Sequence, residues 1–150
     1  MGTRESELTV PMCELMPHRH PMVLVDRLIE TTADGVVCGV EISGESPYAT
    51  SSGVSNIVAL ECMAQAVSVF VGLSDRREGK PVRDGYLIGV NDARFDVDGF
   101  AVGTELLVSA KRIWGGEPLA SFECKTTVDD TEAASVTLNV YRVPQVEDEP

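Results

Sequence analysis

Past its first few residues, the stretch from Gly53 to Gly72, GVSNIVALECMAQAVSVFVG, is apolar except at Glu61, Gln65 and Ser68. These three stand at i, i+4 and i+7, which on a helix makes one stripe on one face. A carboxyl halfway along a buried helix must be paired, hydrogen-bonded or protonated. The protonated form suits a general acid, which holds a proton near neutral pH and releases it in the transition state. A structural role, bonded to nearby backbone or an arginine, fits the same residue. Gln65, one turn on, can orient Glu61 or hydrogen-bond the backbone of a neighbouring sheet. Cys62 follows Glu61 in the chain but points about 100° away on a helix, so it is not expected to act as a nucleophile with it.

The chain has two histidines, His18 and His20, both inside PHRHP (17–21). The flanking prolines make this a stiff, irregular turn that a histidine can help to fix. A His-x-His pair with no further ligand in pattern is too small a set for zinc, and no metal is expected. Cys13, Cys38, Cys62 and Cys124 are widely spaced without a C-x-x-C pair. They are expected to be reduced and mostly buried. No βαβ alternation, G-x-G-x-x-G or Walker loop is present, so no nucleotide cofactor is expected.

The elements that position these residues follow from the order of the chain. At 150 residues one domain with a full-sized core is expected. A net charge of −12 argues against a nucleic-acid binder, because phosphate contacts need a basic face. The N-terminal MGTRESELTV lacks the apolar region of a secretory signal, and a cytoplasmic protein is expected. The apolar run is too short and too interrupted for a membrane span. Residues 1–10 and EDEP (147–150) read as loose ends. VPMCELM (10–16) reads as a short helix and MVLVDRLIE (22–30) as a strand. ADG (33–35) is a turn and VVCGVEIS (36–43) the returning strand. A loop (44–53) then delivers the helix, capped by Ser55 or Asn56 and ended by Gly72.

SDRREGKPVRDG (74–85) reads as a polar loop holding Arg76, Arg77, Lys80 and Arg83, four of the 12 basic residues. Four extended runs follow: 86–95, 104–114, 118–128 and 133–143. Arg27 and Arg94 read as structural ion-pair formers on strands, and Trp114 as a residue packed at a hairpin. A hairpin, one long buried helix and a run of antiparallel strands make an α+β domain, with a sheet wrapped around one helix.

PHRHPMVLVDRLIE (17–30), LECMAQA (60–66), GYLIGVNDARF (85–95) and VGTELLV (102–108) together resemble the β-hydroxyacyl carrier-protein dehydratases of fatty-acid synthesis. These are hot-dog-fold enzymes. The resemblance spans roughly residues 11–143. It is closer still to the dehydratases of aryl-polyene clusters, through Gly53-Val54 to Glu61 and Gln65, Ser121-Phe122-Glu123-Cys124, and Leu138-Asn139-Val140-Tyr141. The resemblance implies loss of water from a 3-hydroxyacyl thioester to give a trans-2-enoyl thioester. In that chemistry a histidine removes the α-proton and an acid on the central helix protonates the leaving hydroxyl. Backbone N–H groups at the helix start hold the thioester carbonyl.

Carried onto this chain, Glu61 is the acid and Gln65 its neighbour in the site. Gly53, Val54 and Asn56 mark the substrate-binding helix start, with His20 also near substrate. The base departs from the pattern. The fatty-acid enzymes carry it in a Gly-His-Phe-Pro turn before the helix, and the equivalent position here is Pro47. No histidine follows His20, so the base falls to His18, with His20, another residue or a partner chain as alternatives. The resemblance further implies an acyl carrier protein as partner, and the positive charge clustered at Arg76, Arg77, Lys80 and Arg83 fits either docking of that acidic partner or a solvated loop. It also implies a homodimer or dimer-based oligomer, with a hetero-oligomer containing a second dehydratase subunit as a variant. Two other functions compete: a hot-dog thioesterase using a single helix carboxylate, and a non-catalytic acyl-binding subunit.

Overall fold

The apolar run forms α1, Ile57–Arg77, in the computed structural model, which describes residues 2–144. It contains no proline, and Val58, Ala59, Cys62, Met63, Ala66, Val69 and Phe70 are all buried. By length and composition this helix, with a mean hydropathy of 1.8, could cross a membrane. Here a sheet takes that role by covering its apolar faces. The Ser55 hydroxyl accepts the Ile57 N–H at 3.4 Å, whereas Asn56 makes no side-chain cap.

Gly72 does not end the helix. A Cβ there would meet the Leu15 carbonyl oxygen at 1.7 Å, so the glycine lets the chain around Leu15 lie directly on α1. The break comes at Gly79, with φ +71°, whose N–H returns to the Arg76 carbonyl at 3.1 Å. Arg76 and Arg77 are therefore the last turn of α1, not part of a loop.

Eight strands accompany the helix among the described residues: β1 (Arg27–Thr31), β2 (Gly35–Glu41), β3 (Val54–Ser55), β4 (Gly85–Phe95), β5 (Gly99–Phe100), β6 (Glu105–Gly115), β7 (Leu119–Val128) and β8 (Thr131–Arg142). Six form an antiparallel sheet in the order β1-β2-β6-β7-β8-β4, and β3 pairs only with β5. Burial alternates along β6 and β7 with the period of two that a half-buried sheet requires. In register, Ala110 meets Cys124 and Phe122 meets Leu138, and this buried face receives α1. Phe70 of α1 packs edge-on to Phe122 at 5.7 Å. The result is the expected α+β hot-dog arrangement.

Several local expectations are corrected. MVLVDRLIE does not extend as one strand, since β1 begins at Arg27 and the preceding backbone bonds to α1 instead. The short helix over 10–16 is a single 3-10 turn, Met12–Glu14. The N-terminal segment is tied down. The Glu7 carboxylate takes two hydrogen bonds of 2.7 Å from Arg77, and the Thr3 hydroxyl accepts the Thr31 N–H at 2.8 Å. The Arg77 hydrogen bond holds the Glu7 carboxyl below the usual carboxylate range. Trp114 is 63% exposed and not packed. Cys38, Cys62 and Cys124 are buried, while Cys13 is exposed. EDEP (147–150) lies outside the described residues.

The contact at Gly72 carries a prediction. Gly72→Ala forces apart two backbones that a methyl group cannot enter, and should destabilise the fold by about 3 kcal/mol. That corresponds to a fall of roughly 6–12 °C in melting temperature. An unchanged melt would mean that the Leu15 segment does not sit on the helix.

Candidate active site

The site is built around the amide of Gln65, which is fully buried. Its Oε1 accepts the Leu24 N–H at 2.9 Å and the Val25 N–H at 3.3 Å. Its Nε2 donates to the Met22 carbonyl at 2.7 Å and to Glu61 Oε1 at 2.9 Å. All four hydrogen-bonding positions of the amide are filled, and two backbone N–H donors on one side fix which end is oxygen. The side chain holds residues 22–25 against α1, in place of the strand ladder that their sequence suggests. It also fixes the Glu61 carboxylate one turn away.

With residues 22–25 held, the PHRHP turn just before them lies over the first half of α1. The Arg19 guanidinium pins the turn from within, donating to the carbonyls of Cys13 and Met16 at 3.1 Å each and His18 at 2.8 Å. His18 Nε2 then lies 3.9 Å from Glu61 Oε1 in the same chain. That is beyond hydrogen-bond distance, close enough for both groups to reach one substrate. Both side chains are partly open, 31% exposed for His18 and 37% for Glu61. Glu61 is thus half-buried at the mouth of a cleft, not sealed within the helix packing.

The cleft is a cavity of about 210 Å³. His18 and Glu61 stand at one end. Ala64, Ser68, Val71 and Asp75 continue along α1, with Leu87 and Val140 opposite. The helix stripe that links Glu61 to Ser68 therefore goes on for a further two turns to Asp75. Asp75 stands at this spacing, but the composition of 74–85 reads as a polar loop and hides it. Arg83 and Arg142 line the cavity beside Asp75. Arg142 was missed because nothing local in β8 marks it.

The remaining sequence candidates lie elsewhere. His20 and Val54 line a separate cavity of about 180 Å³, on the side of α1 that carries Cys62. Burial, reinforced by the Glu61 and Asp26 charges, pushes the Cys62 thiol up to about 12, so it is no nucleophile at neutral pH. The Gly53 and Asn56 amides are already donated to the Thr50 and Asp98 carbonyls, at 3.1 and 3.0 Å. In this chain they are not free to hold a thioester carbonyl.

The basic residues are paired. Arg77 and Arg83 are largely buried in ion pairs, Arg77 with Glu7 and Arg83 with Asp75 at 3.0 Å and with Glu117. Arg142 joins Glu117 at 2.8 Å and also Asp75. The Arg83 hydrogen bond, helped by the Arg142 charge, holds the Glu117 carboxyl below its usual range. Arg76 pairs with Glu14 at 3.4 Å and Lys80 with Glu78 at 2.7 Å, both at the surface. Arg27 and Arg94 make exposed pairs with Glu105 and Asp96.

Comparison with known proteins places this geometry. The 3-hydroxyacyl-[acyl-carrier-protein] dehydratase FabZ of Streptococcus sanguinis is 28% identical over 130 residues, covering 83% of this chain and 90% of that protein. FabZ of Streptococcus gordonii matches equally. Among solved structures, the dehydratase heterocomplex ApeI:P from Xenorhabdus doucetiae superposes with a TM-score of 0.85 at 28% identity, covering 91% of this chain and 93% of that one. A hypothetical thioesterase from Streptococcus pneumoniae, solved with coenzyme A, shares the fold alone, with a TM-score of 0.59 at 11% identity over 80% of this chain and 87% of that one. The ApeP-like family, described as ApeP dehydratase, matches residues 10–149, and this chain belongs to that family.

Proposed function

We propose that this chain is a lyase that removes water from 3-hydroxyacyl thioesters carried on an acyl carrier protein, giving trans-2-enoyl thioesters in fatty-acid or polyene synthesis. The observation that carries the reading is the pair of His18 Nε2 and Glu61 Oε1, 3.9 Å apart at the mouth of a largely apolar cavity. Neutral His18 takes the α-proton and protonated Glu61 gives its proton to the leaving β-hydroxyl. The Cα–H electron pair becomes the new double bond, the β C–O bond breaks and water departs. Return of the proton from His18 to Glu61 across the short gap resets the pair. Gln65, bonded to Glu61, is a positioning residue. The chemistry is set in one domain, in the cytoplasm.

A thioesterase using Glu61 alone would release a free thiol, and a non-catalytic subunit would turn over nothing without its partner. Purified chain should convert a 3-hydroxyacyl-carrier thioester to the enoyl thioester. Glu61→Gln and His18→Asn should each lower the rate by roughly 10²–10⁴-fold with folding retained. The double variant should lose little more, since the two act in one step. Free thiol as product, or near-wild-type turnover in His18→Asn with Glu61→Gln inactive, contradicts the two-residue mechanism.

Assembly is read from β4, an eleven-residue edge strand with Tyr86, Leu87, Ile88 and Val90 exposed. A second copy, or a second dehydratase subunit as in the ApeI:P complex, would continue the sheet there and cover an edge that invites pairing. A stable monomer at micromolar concentration in sedimentation would contradict this.

Carrier docking is assigned to Arg76 and Lys80. Their surface ion pairs contribute little to stability and can be exchanged for acidic groups on a carrier. Arg77 and Arg83 are engaged inside the fold. Reversing Arg76 and Lys80 to Glu should raise KM for the carrier-bound substrate and leave a small thioester surrogate unaffected. Equal loss on both substrates would make these residues structural.

A further inference from the structure

Two anchors hold the chain on either side of the PHRHP turn. Before it, Leu15 lies directly on α1, where Gly72 makes room. After it, the Gln65 amide binds the backbone of Met22, Leu24 and Val25. Neither anchor sets the path between them. Pro17 and Pro21 have no N–H to give. Among the described residues, the backbone–backbone hydrogen bonding of 16–21 is a single bond, from the Met22 N–H to the Arg19 carbonyl at 2.9 Å. This short path carries His18, whose ring must stand against Glu61.

The ring has nothing of its own to orient it. A histidine that acts as a base is ordinarily held by a hydrogen bond at its second ring nitrogen. His18 Nδ1 is buried with no hydrogen-bond partner among the described residues. His18 Nε2, at 3.9 Å from Glu61 Oε1, is beyond hydrogen-bond distance. The direction of the ring is therefore inherited from the backbone that carries it. One atom gathers that backbone. Arg19 Nη1 donates to the carbonyls of Cys13 and Met16 at 3.1 Å each, Pro17 at 3.3 Å and His18 at 2.8 Å. Carbonyl oxygens turned towards one point repel each other unless a cation stands among them. Bonds from a charged donor are also stronger than neutral ones, and the shortest of these four goes to the carbonyl of His18 itself.

We propose that Arg19 is a positioning residue: its guanidinium, seated among the carbonyls of residues 13–18, sets where the His18 ring stands against Glu61. The inference rests on the dehydratase reading for what His18 does there. Arg19 is exposed and lies off the wall of the cavity that His18 and Glu61 share, so it acts through His18 and not on substrate. The anchors at Leu15 and Gln65 do not involve it, so the fold stands without it. A lysine brings a cation to the same carbonyls, but as a single point on a different stem, and replaces the planar fork only in part.

The test is Arg19→Met, which keeps an apolar stem and removes the cation. Its kcat for the 3-hydroxyacyl-carrier thioester should fall by about ten- to hundredfold, the cost of a small misplacement of a reacting group. KM and melting temperature should change little, and Arg19→Lys should recover part of the rate. In a His18→Asn background, Arg19→Met should cost nothing further, since the residue it positions is already gone. Full kcat in Arg19→Met overturns the proposal. So does a raised KM at unchanged kcat, which makes Arg19 a substrate contact, or an equal loss in the His18→Asn background. If Arg19→Met does not fold, Arg19→Gln is read by the same criteria. A crystal structure of the variant separates this proposal from the catalytic one. The His18 ring should move away from Glu61 or spread over several conformers, while α1 and residues 22–25 stay in place. A chain that dehydrates nothing but shows that displacement loses the mechanism and keeps the positioning. A ring that has not moved overturns the positioning, whatever the activity.

Discussion

The four hydrogen bonds of one buried amide, that of Gln65, set the arrangement on which the site depends. A buried primary amide left half-satisfied is costly. This one is complete only when Met22, Leu24 and Val25 present their backbone groups to it and Glu61 offers an oxygen. Those four demands are met by a single path of the chain. That path denies residues 22–25 to the sheet and brings the PHRHP turn over the start of α1. It leaves the histidine at position 18 facing the carboxylate at 61. His18 therefore reaches Glu61 from the N-terminal side of the fold, through a turn stapled by Arg19 and its four carbonyl acceptors. A histidine in the loop before the helix is not needed for the pair to form.

The helix itself, its stripe of Glu61, Gln65 and Ser68, and the hairpin-helix-strands order were legible because they rest on periodicity, which burial enforces directly. What was not legible depends on partners distant in sequence. MVLVDRLIE has strand composition, and nothing within it says that a glutamine 40 residues away takes its backbone. Gly72 has the local look of a helix end, yet it is glycine because Leu15 needs the space. Arg77 and Arg83 look like solvated cations of a loop until Glu7, Asp75 and Glu117 are folded against them. Trp114 has the look of a residue packed at a hairpin, yet it is 63% exposed.

The two ends of the cavity divide its chemistry. At the mouth, two half-exposed ionisable groups stand apart at a distance that leaves them free to exchange protons with a substrate. Further along α1, Asp75 is locked to Arg83 and Arg142, so these charges are spent on one another. Between them α1 offers small side chains, Ala64 and Ser68, on the cavity stripe, while its larger residues pack into the sheet. One helix thus carries Glu61, one wall of the cavity and Asp75, and the sheet packed on its other faces holds it in place.

The central claim is that His18 and Glu61 act within one chain, and subunit complementation tests it most directly. The two inactive variants, His18→Asn and Glu61→Gln, would be unfolded together, refolded into mixed assemblies and assayed for enoyl thioester. If each site takes both residues from the same chain, every site in the mixture lacks one of them and the mixed assemblies stay as inactive as the separate variants. Recovery of a substantial fraction of wild-type activity on mixing would mean that each site draws its histidine and its carboxylate from different chains, and would contradict the account.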